Sequence, residues 1–256
     1  MKTAITRKVS GAILRCELTH LARQPIDFVR AQKQHATYEE CLAAAGCKVE
    51  SLPAEPELPD AVFVEDAAVA FDEIALIARP GAESRRAEVE SVARALAQHR
   101  KPARIEPPGT LDGGDVLRIG KRVLVGLSQR TNAAGIGQMR AALAPFGYSV
   151  ESVPVKGCLH LKSAATQVAE NTVLLNPRWI DRALFPGMDC IEVAPEEPLA
   201  ANALWLCSGQ GGVIFPAEYP ATRARLEACG IRIVPVEVSE FAKAEGGVTC
   251  CSIILR

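Results

Sequence analysis

The 256-residue chain contains no apolar run near the roughly 18 residues that a membrane-spanning helix requires. It has no charge excess: 29 basic against 30 acidic side chains leave a formal net charge of −1, mixed along the chain with no basic stripe. Nucleic acid is therefore not an expected partner, and neither is a membrane. Nine cysteines are present, but none is paired as Cys-x-x-Cys. That pattern argues against a structural zinc site, and in a reducing compartment most of these thiols would be small buried hydrophobes. The first residues, MKTAITRKVSGAIL, carry positive charge, but their apolar stretch is too short and too broken for a secretory signal. A cytoplasmic protein is the expectation.

What the chain does have is a core-forming composition, 48% apolar and 23% charged. A chain of this length buries a sizeable core without disulfide or metal staples, and a single catalytic domain, 1–256, is expected. Its organisation is repetitive. A helical pattern ends near Gly46 and the strand-like KVESL runs to Pro53. A second pattern, Glu83 to Arg100, leads through ARIE to Pro107. A third ends at Gly147, before YSVESV and Pro154. A shorter fourth ends near Gly187, before MDCIEVA and Pro195. A fifth ends at Gly230, before IRIV and Pro235. Glycine in the left-handed conformation stops a helix, a β-branched run forms a buried strand, and proline ends the ladder for want of an N–H. Further β-like runs fall between these units: AVFVED, IALIARP, DVLRI, RVLVGL, TVLLN and GVIFP. Five modules of strands plus one helix, without atypical caps, predict a closed α/β ring.

The repeat also selects residues. After each unit's proline comes a polar side chain: Asp60, Glu65 and Asp66, then Asp112, His160, Asn202 and Cys250. If the strands converge on one axis, these meet around it, as binding residues at strand ends do. Cys250, in GGVTCCSIIL, reads either as a nucleophile with glycines that let the backbone approach a ligand, or as a buried structural cysteine. Adjacent Cys251 would then face the other side of a strand. His160, in GCLHLKSAA, reads as an acid/base group or as a satisfied core histidine. His35 and His99 fall in helical stretches and read as solvated. Asp112, in TLDGGD, could orient a histidine, hold a cation or cap a turn, and Asp115 could bond its own turn. One of Glu65 and Asp66 is expected to be buried and to need a cationic partner. Arg85 and Arg130 are the cationic candidates for gripping a carboxylate.

Taken in order, FVED (63–66), RPGAESRR (79–86), TLDGGDVL (110–117), VGLSQRTN (125–132), LHLKS (159–163) and TCCS (249–252) resemble the dimethylarginine dimethylaminohydrolase family. These are guanidino-group modifying enzymes, relatives of arginine deiminases and amidinotransferases. The resemblance extends to LTHL (18–21) and EYP (218–220), so it covers nearly the whole chain. It implies a five-bladed αβ propeller of ββαβ modules with pseudo-five-fold symmetry and no metal or organic cofactor. It also implies hydrolysis of methylated arginine to citrulline and dimethylamine or methylamine through a thiouronium on Cys250. Carried over by motif, Cys250 is the nucleophile, His160 the acid/base, and Asp112 the carboxylate beside both His160 and substrate. Asp66 would hold the guanidinium. Asp60 and Glu65 would help to bind the substrate, Asp60 towards its α-amino end. Arg85 and Arg130 would clamp the α-carboxylate, Leu18 would sit in a lid, and the backbone of Ala244 would touch the substrate.

Lys162 stands where the deiminase pattern has a second aspartate, two residues after the histidine. A site with one carboxylate fewer suits a methylated guanidinium, which has fewer N–H donors. A deiminase or amidinotransferase on the same scaffold remains open at this stage, as does a non-catalytic arginine-binding module. So does the choice between monomer and homodimer.

Overall fold

A computed structural model describes residues 2–206 and 212–256; Cys207, one of the nine thiols, lies outside them. In chain order the elements are β1 (Lys2–Arg7), α1 (Phe28–Ala44), β2 (Cys47–Leu52), β3 (Ala68–Ala70), β4 (Ile74–Ile77), α2 (Val89–Leu96), β5 (Lys101–Arg104), β6 (Val116–Ile119), β7 (Arg122–Leu127), α3 (Ala133–Leu143), β8 (Ser149–Pro154), α4 (Leu161–Ala164), β9 (Ala165–Ala169), β10 (Thr172–Leu175), β11 (Asp189–Glu192), β12 (Leu204–Trp205), β13 (Val213–Pro216), α5 (Pro220–Ala228), β14 (Ile233–Val236), α6 (Ser239–Ala242) and β15 (Ile253–Leu255).

The strands form five three-stranded sheets, ordered β15-β1-β2, β3-β4-β5, β6-β7-β8, β9-β10-β11 and β12-β13-β14. In each, the middle strand pairs antiparallel on one side and parallel on the other. A parallel partner needs a crossover. It runs through α1, α2, α3 and α5 in four modules. This is the five-module αβ propeller expected from the sequence. The middle strands are wedged between neighbours and covered on both faces; every residue of β4 and of β13 is buried. Such strands read as continuous apolar runs rather than alternating ones. Around the axis β15 packs on β3, β6 on β9, and β9 on β12. The ring closes where the last strand, β15, pairs with the first, β1. Among the described residues no helix is long and apolar enough to cross a membrane.

The glycine stops fall where the repeat placed them: Gly46, Gly147, Gly187 and Gly230 all have φ between 73° and 87°. Four expectations need correction. The fourth module has no α-helix, only a 3-10 turn at Arg182–Leu184. Pro177 and Pro186 bracket that stretch too closely for an uninterrupted helix. AVFVED is not a strand. Val64–Ala67 is a 3-10 turn with all four residues buried, which takes both Glu65 and Asp66 inside instead of one. Cys250 lies just before β15 as expected, but Cys251 shares its turn and is not on a strand. His35 is not solvated: it is 3% exposed on the inner face of α1, beside Tyr38 and Phe241.

Candidate active site

Five linkers carry the chain from the outer strand of one sheet to the axial strand of the next: β2 to β3, β5 to β6, β8 to β9, β11 to β12, and β14 to β15. Each begins within a few residues of one of the five prolines, although Pro235 lies inside β14 instead of ending it, and together they carry Asp60 to Asp66, Asp112, His160, Asn202 and Cys250. The ring brings these linkers to one end of the axis. A small cavity of about 20 Å³ there is lined by Asp60, Asp66, Arg85, Arg130, His160 and Cys250, with Ala244 and Glu245 at its wall.

His160 precedes α4 with extended backbone (φ −134°, ψ 160°), and its ring is 5% exposed. Its Nε2 donates to Asp112 Oδ2 at 3.1 Å, and its Nδ1 lies 3.9 Å from Asp66 Oδ1. Burial alone would lower the pKa of the imidazole. The Asp66 charge, the Asp112 hydrogen bond and the nearby Asp115 prevail and raise it to about 9. The ring is therefore a charged proton donor at neutral pH. Asp112 is fully buried, and its second oxygen accepts the Gly81 N–H at 2.9 Å.

Asp66 accepts from Gly114 N–H at 2.9 Å and from Arg85 Nη1 at 2.7 Å. Burial would raise its pKa, but the His160 and Arg85 cations outweigh that and hold it well below the usual carboxylate range. Cys250 Sγ receives the Gly247 N–H at 3.3 Å. Burial, and then the charges of Glu65 and Asp66, push this thiol up to about 12. Without a cationic ligand this side chain is held as a thiol.

The other expected residues divide. Asp60 is buried at the cavity wall and accepts the Glu17 N–H at 3.0 Å. Arg130 Nη2 donates to Thr19 Oγ1 at 3.1 Å, while its buried Nη1 has no hydrogen-bond partner. Arg85 also lines the cavity, but its guanidinium is already committed to Asp66, to Glu88 and to the carbonyls of Asp60 and Phe63. Glu65 does not face the cavity. Its oxygens bond Lys162 Nζ at 2.5 Å and Thr249 Oγ1 at 2.6 Å, at one end of an axial channel of about 160 Å³ lined by β3, β6, β9, β12 and β15. Leu18 is half-buried against the α1 core cluster and lies outside the cavity lining, which its neighbour Glu17 joins.

Two further residues organise the site: Glu88, which escaped the sequence reading, and Asp115, which was expected only to bond its own turn. Glu88 is buried, bonds Arg85, and has its pKa raised to about 7 by burial against the Arg85 charge. Its spacing of three from Arg85 on a helical pattern was the available signal. Asp115 does not bond its own turn. One oxygen accepts the Leu161 N–H at 3.0 Å and the other accepts Ser128 Oγ–H at 2.7 Å, so it fixes the loop that carries His160.

Asp66, Asp112 and His160 place one ligand atom each within 4.8 Å of one another and are the residues that could hold a metal. As they stand, His160 Nε2 and Asp112 Oδ2 bond each other at 3.1 Å, so the cluster is two carboxylates around an imidazole donor, and the Asp66 oxygens at the cavity wall match a planar cation rich in N–H groups.

A five-module αβ propeller with a cysteine, a histidine and paired carboxylates at its axis defines a cysteine-dependent amidine hydrolase. Within that class, the chain belongs to the dimethylarginine dimethylaminohydrolase family. It matches the family described as "N,N dimethylarginine dimethylhydrolase, eukaryotic" over residues 23–255. It is 42% identical to the N(G),N(G)-dimethylarginine dimethylaminohydrolase of Streptomyces coelicolor, covering 100% of this chain and 97% of that one. Among solved structures it is similar to a mutant of the Pseudomonas aeruginosa enzyme complexed with citrulline (TM-score 0.94, 34% identity, 99% and 98% of the two chains). It is equally similar to a dimethylarginine dimethylaminohydrolase adduct with S-methyl-L-thiocitrulline (TM-score 0.94, 34% identity, 100% of both chains).

Proposed function

We propose that this chain hydrolyses Nω-methylated arginine to citrulline and dimethylamine or methylamine, with Cys250 as nucleophile and His160 as acid and then base. The observation that carries the reading is the convergence of Cys250, His160 and Asp66 on one cavity, with Asp112 fully buried outside its lining and bonded to His160. Asp66 already faces the Arg85 and His160 cations, and its oxygens at the cavity wall are acceptors that match the N–H donors of a guanidinium. Arg130 Nη1, 3.6 Å from Asp112 Oδ2, is a buried donor with no hydrogen-bond partner, suited to the substrate's α-carboxylate.

Binding of the cation lowers the pKa of the Cys250 thiol, because an opposite charge favours the thiolate. The sulfur attacks the guanidinium carbon. His160 gives its proton to the departing amine as the carbon–nitrogen bond breaks, and a thiouronium remains on Cys250. The neutral His160 then takes a proton from water, the resulting hydroxide adds to the same carbon, and the carbon–sulfur bond breaks to release citrulline. Glu65 is held by Lys162 and Thr249, away from the cavity, so the methylated nitrogen meets one acceptor fewer.

The test is to incubate the protein with asymmetric dimethylarginine, with Cys250→Ser alongside, and assay citrulline and dimethylamine. Equal release of both, lost in the variant, is the expected result. Ammonia and citrulline from arginine, with methylated arginine untouched, would make it a deiminase instead.

A further inference from the structure

Glu245 is the only non-glycine residue with a positive φ (57°) among the described residues, and it is placed between the cavity residue Ala244 and Gly246. A left-handed glutamate is disfavoured, and such outliers persist where the surroundings over-determine them. Here the surroundings are three backbone donors. Glu245 Oε2 accepts the Thr19 N–H at 3.0 Å, and Oε1 accepts those of His20 at 2.5 Å and Leu21 at 2.6 Å.

The 17–21 segment has no helix or strand of its own beyond a bend, and most of its side chains are exposed. Its other attachments lead back to the cavity. The Glu17 N–H donates to Asp60, Glu17 Oε1 accepts Ser84 Oγ–H at 2.7 Å, and Thr19 Oγ1 accepts Arg130 Nη2. The segment thus crosses from the Asp60–Arg130 side to Glu245. The cavity beneath holds about 20 Å³, roughly one water molecule, so it has no room for an amino acid unless its surroundings, this segment among them, shift. A larger cavity of about 420 Å³ shares Glu245 and Cys250 with this one and is bordered by His20 and Leu21.

We propose that Glu245 is a positioning residue that latches the 17–21 segment over the occupied cavity, and that through Thr19 it holds Arg130 with Nη1 turned towards the substrate. It touches no reacting atom. Its effect is on the fraction of molecules in the binding-competent, closed arrangement, and apparent affinity scales with that fraction.

The role in turnover rests on the hydrolase reading, but the latch does not, so two readouts are paired. In hydrogen exchange, the amides of Thr19, His20 and Leu21 should be protected in the wild type despite belonging to exposed residues. Glu245→Gly, which relieves the left-handed strain while removing the carboxylate, should lose that protection without lowering Tm. In kinetics with asymmetric dimethylarginine, Glu245→Gly should raise KM by about tenfold with kcat within about twofold, and Glu245→Asp should recover part of the loss. Unprotected amides in the wild type, or an unchanged KM in Glu245→Gly, would overturn the proposal. Protected amides with no turnover of any substrate would sink the hydrolase reading while leaving the latch standing.

Discussion

His160 Nε2 and Asp112 Oδ2 lie 3.1 Å apart, both side chains buried, with the carboxylate's other oxygen fixed by the Gly81 N–H. The pair orients the imidazole and keeps it charged. Asp112→Asn should leave the fold intact, lower the His160 pKa and reduce kcat/KM by about 10²-fold, within the usual range for general acid–base help. A pH–rate profile tests it. The limb that falls as His160 loses its proton should move to lower pH, and an unmoved limb would exclude Asp112 as the partner that matters.

Stability should depend on the same proton. The folded pKa of about 9 lies above the reference 6.5, so the contribution is complete below pH 6.5 and is lost as pH rises through 9. The difference corresponds to about 3 kcal/mol at 1.36 kcal/mol per pH unit. Urea unfolding at pH 6 and at pH 9.5 should show a loss of this order in the wild type and a smaller one in His160→Ala. Parallel losses in both proteins would place the titration elsewhere.

Gly114 has no room for a side chain. A Cβ there would stand 2.6 Å from His160 Nδ1 and 2.8 Å from Asp66 Oδ1. Gly114→Ala should displace these two groups while leaving the sheets intact. Activity should fall by at least about 10²-fold, as expected when a catalytic group is misplaced by about 1 Å. Circular dichroism together with turnover checks this, and near-normal activity would show that the two side chains are more compliant than the packing implies.

Asp115 carries no step of the reaction, yet it ties the Leu161 N–H and Ser128 together behind His160. Asp115→Ala orphans a buried backbone donor and should cost about 1–3 kcal/mol of stability. Thermal unfolding of the variant measures the cost. An unchanged Tm would mean that solvent or a new partner replaces the carboxylate.

Much of this was legible along the chain because the local physics is local. Glycine stops helices at Gly46, Gly147 and Gly230, and the interval between prolines announced five modules, although Pro235 sits inside β14 and does not end it. The fourth module misled because glycine and proline mark its ends without revealing that a 3-10 turn suffices between them. AVFVED misled because its apolar alternation fits a strand, whereas Glu65 and Asp66 both find cationic partners, half-buried Lys162 and buried Arg85, that are distant in sequence.

By itself, then, the sequence determined the period of the repeat, the chemistry available in each linker and the family resemblance. Only the tertiary structure decided which side chains share a charge. Closing β15 onto β1 brings linkers separated by tens to nearly two hundred residues to one end of the axis. There, burial turns ordinary carboxylates into obligate partners for cations. Glu65 goes to Lys162, Asp66 to Arg85, Asp112 to His160, and Glu245 to the backbone of 19–21. Those pairings depend on distances and desolvation that no local pattern encodes.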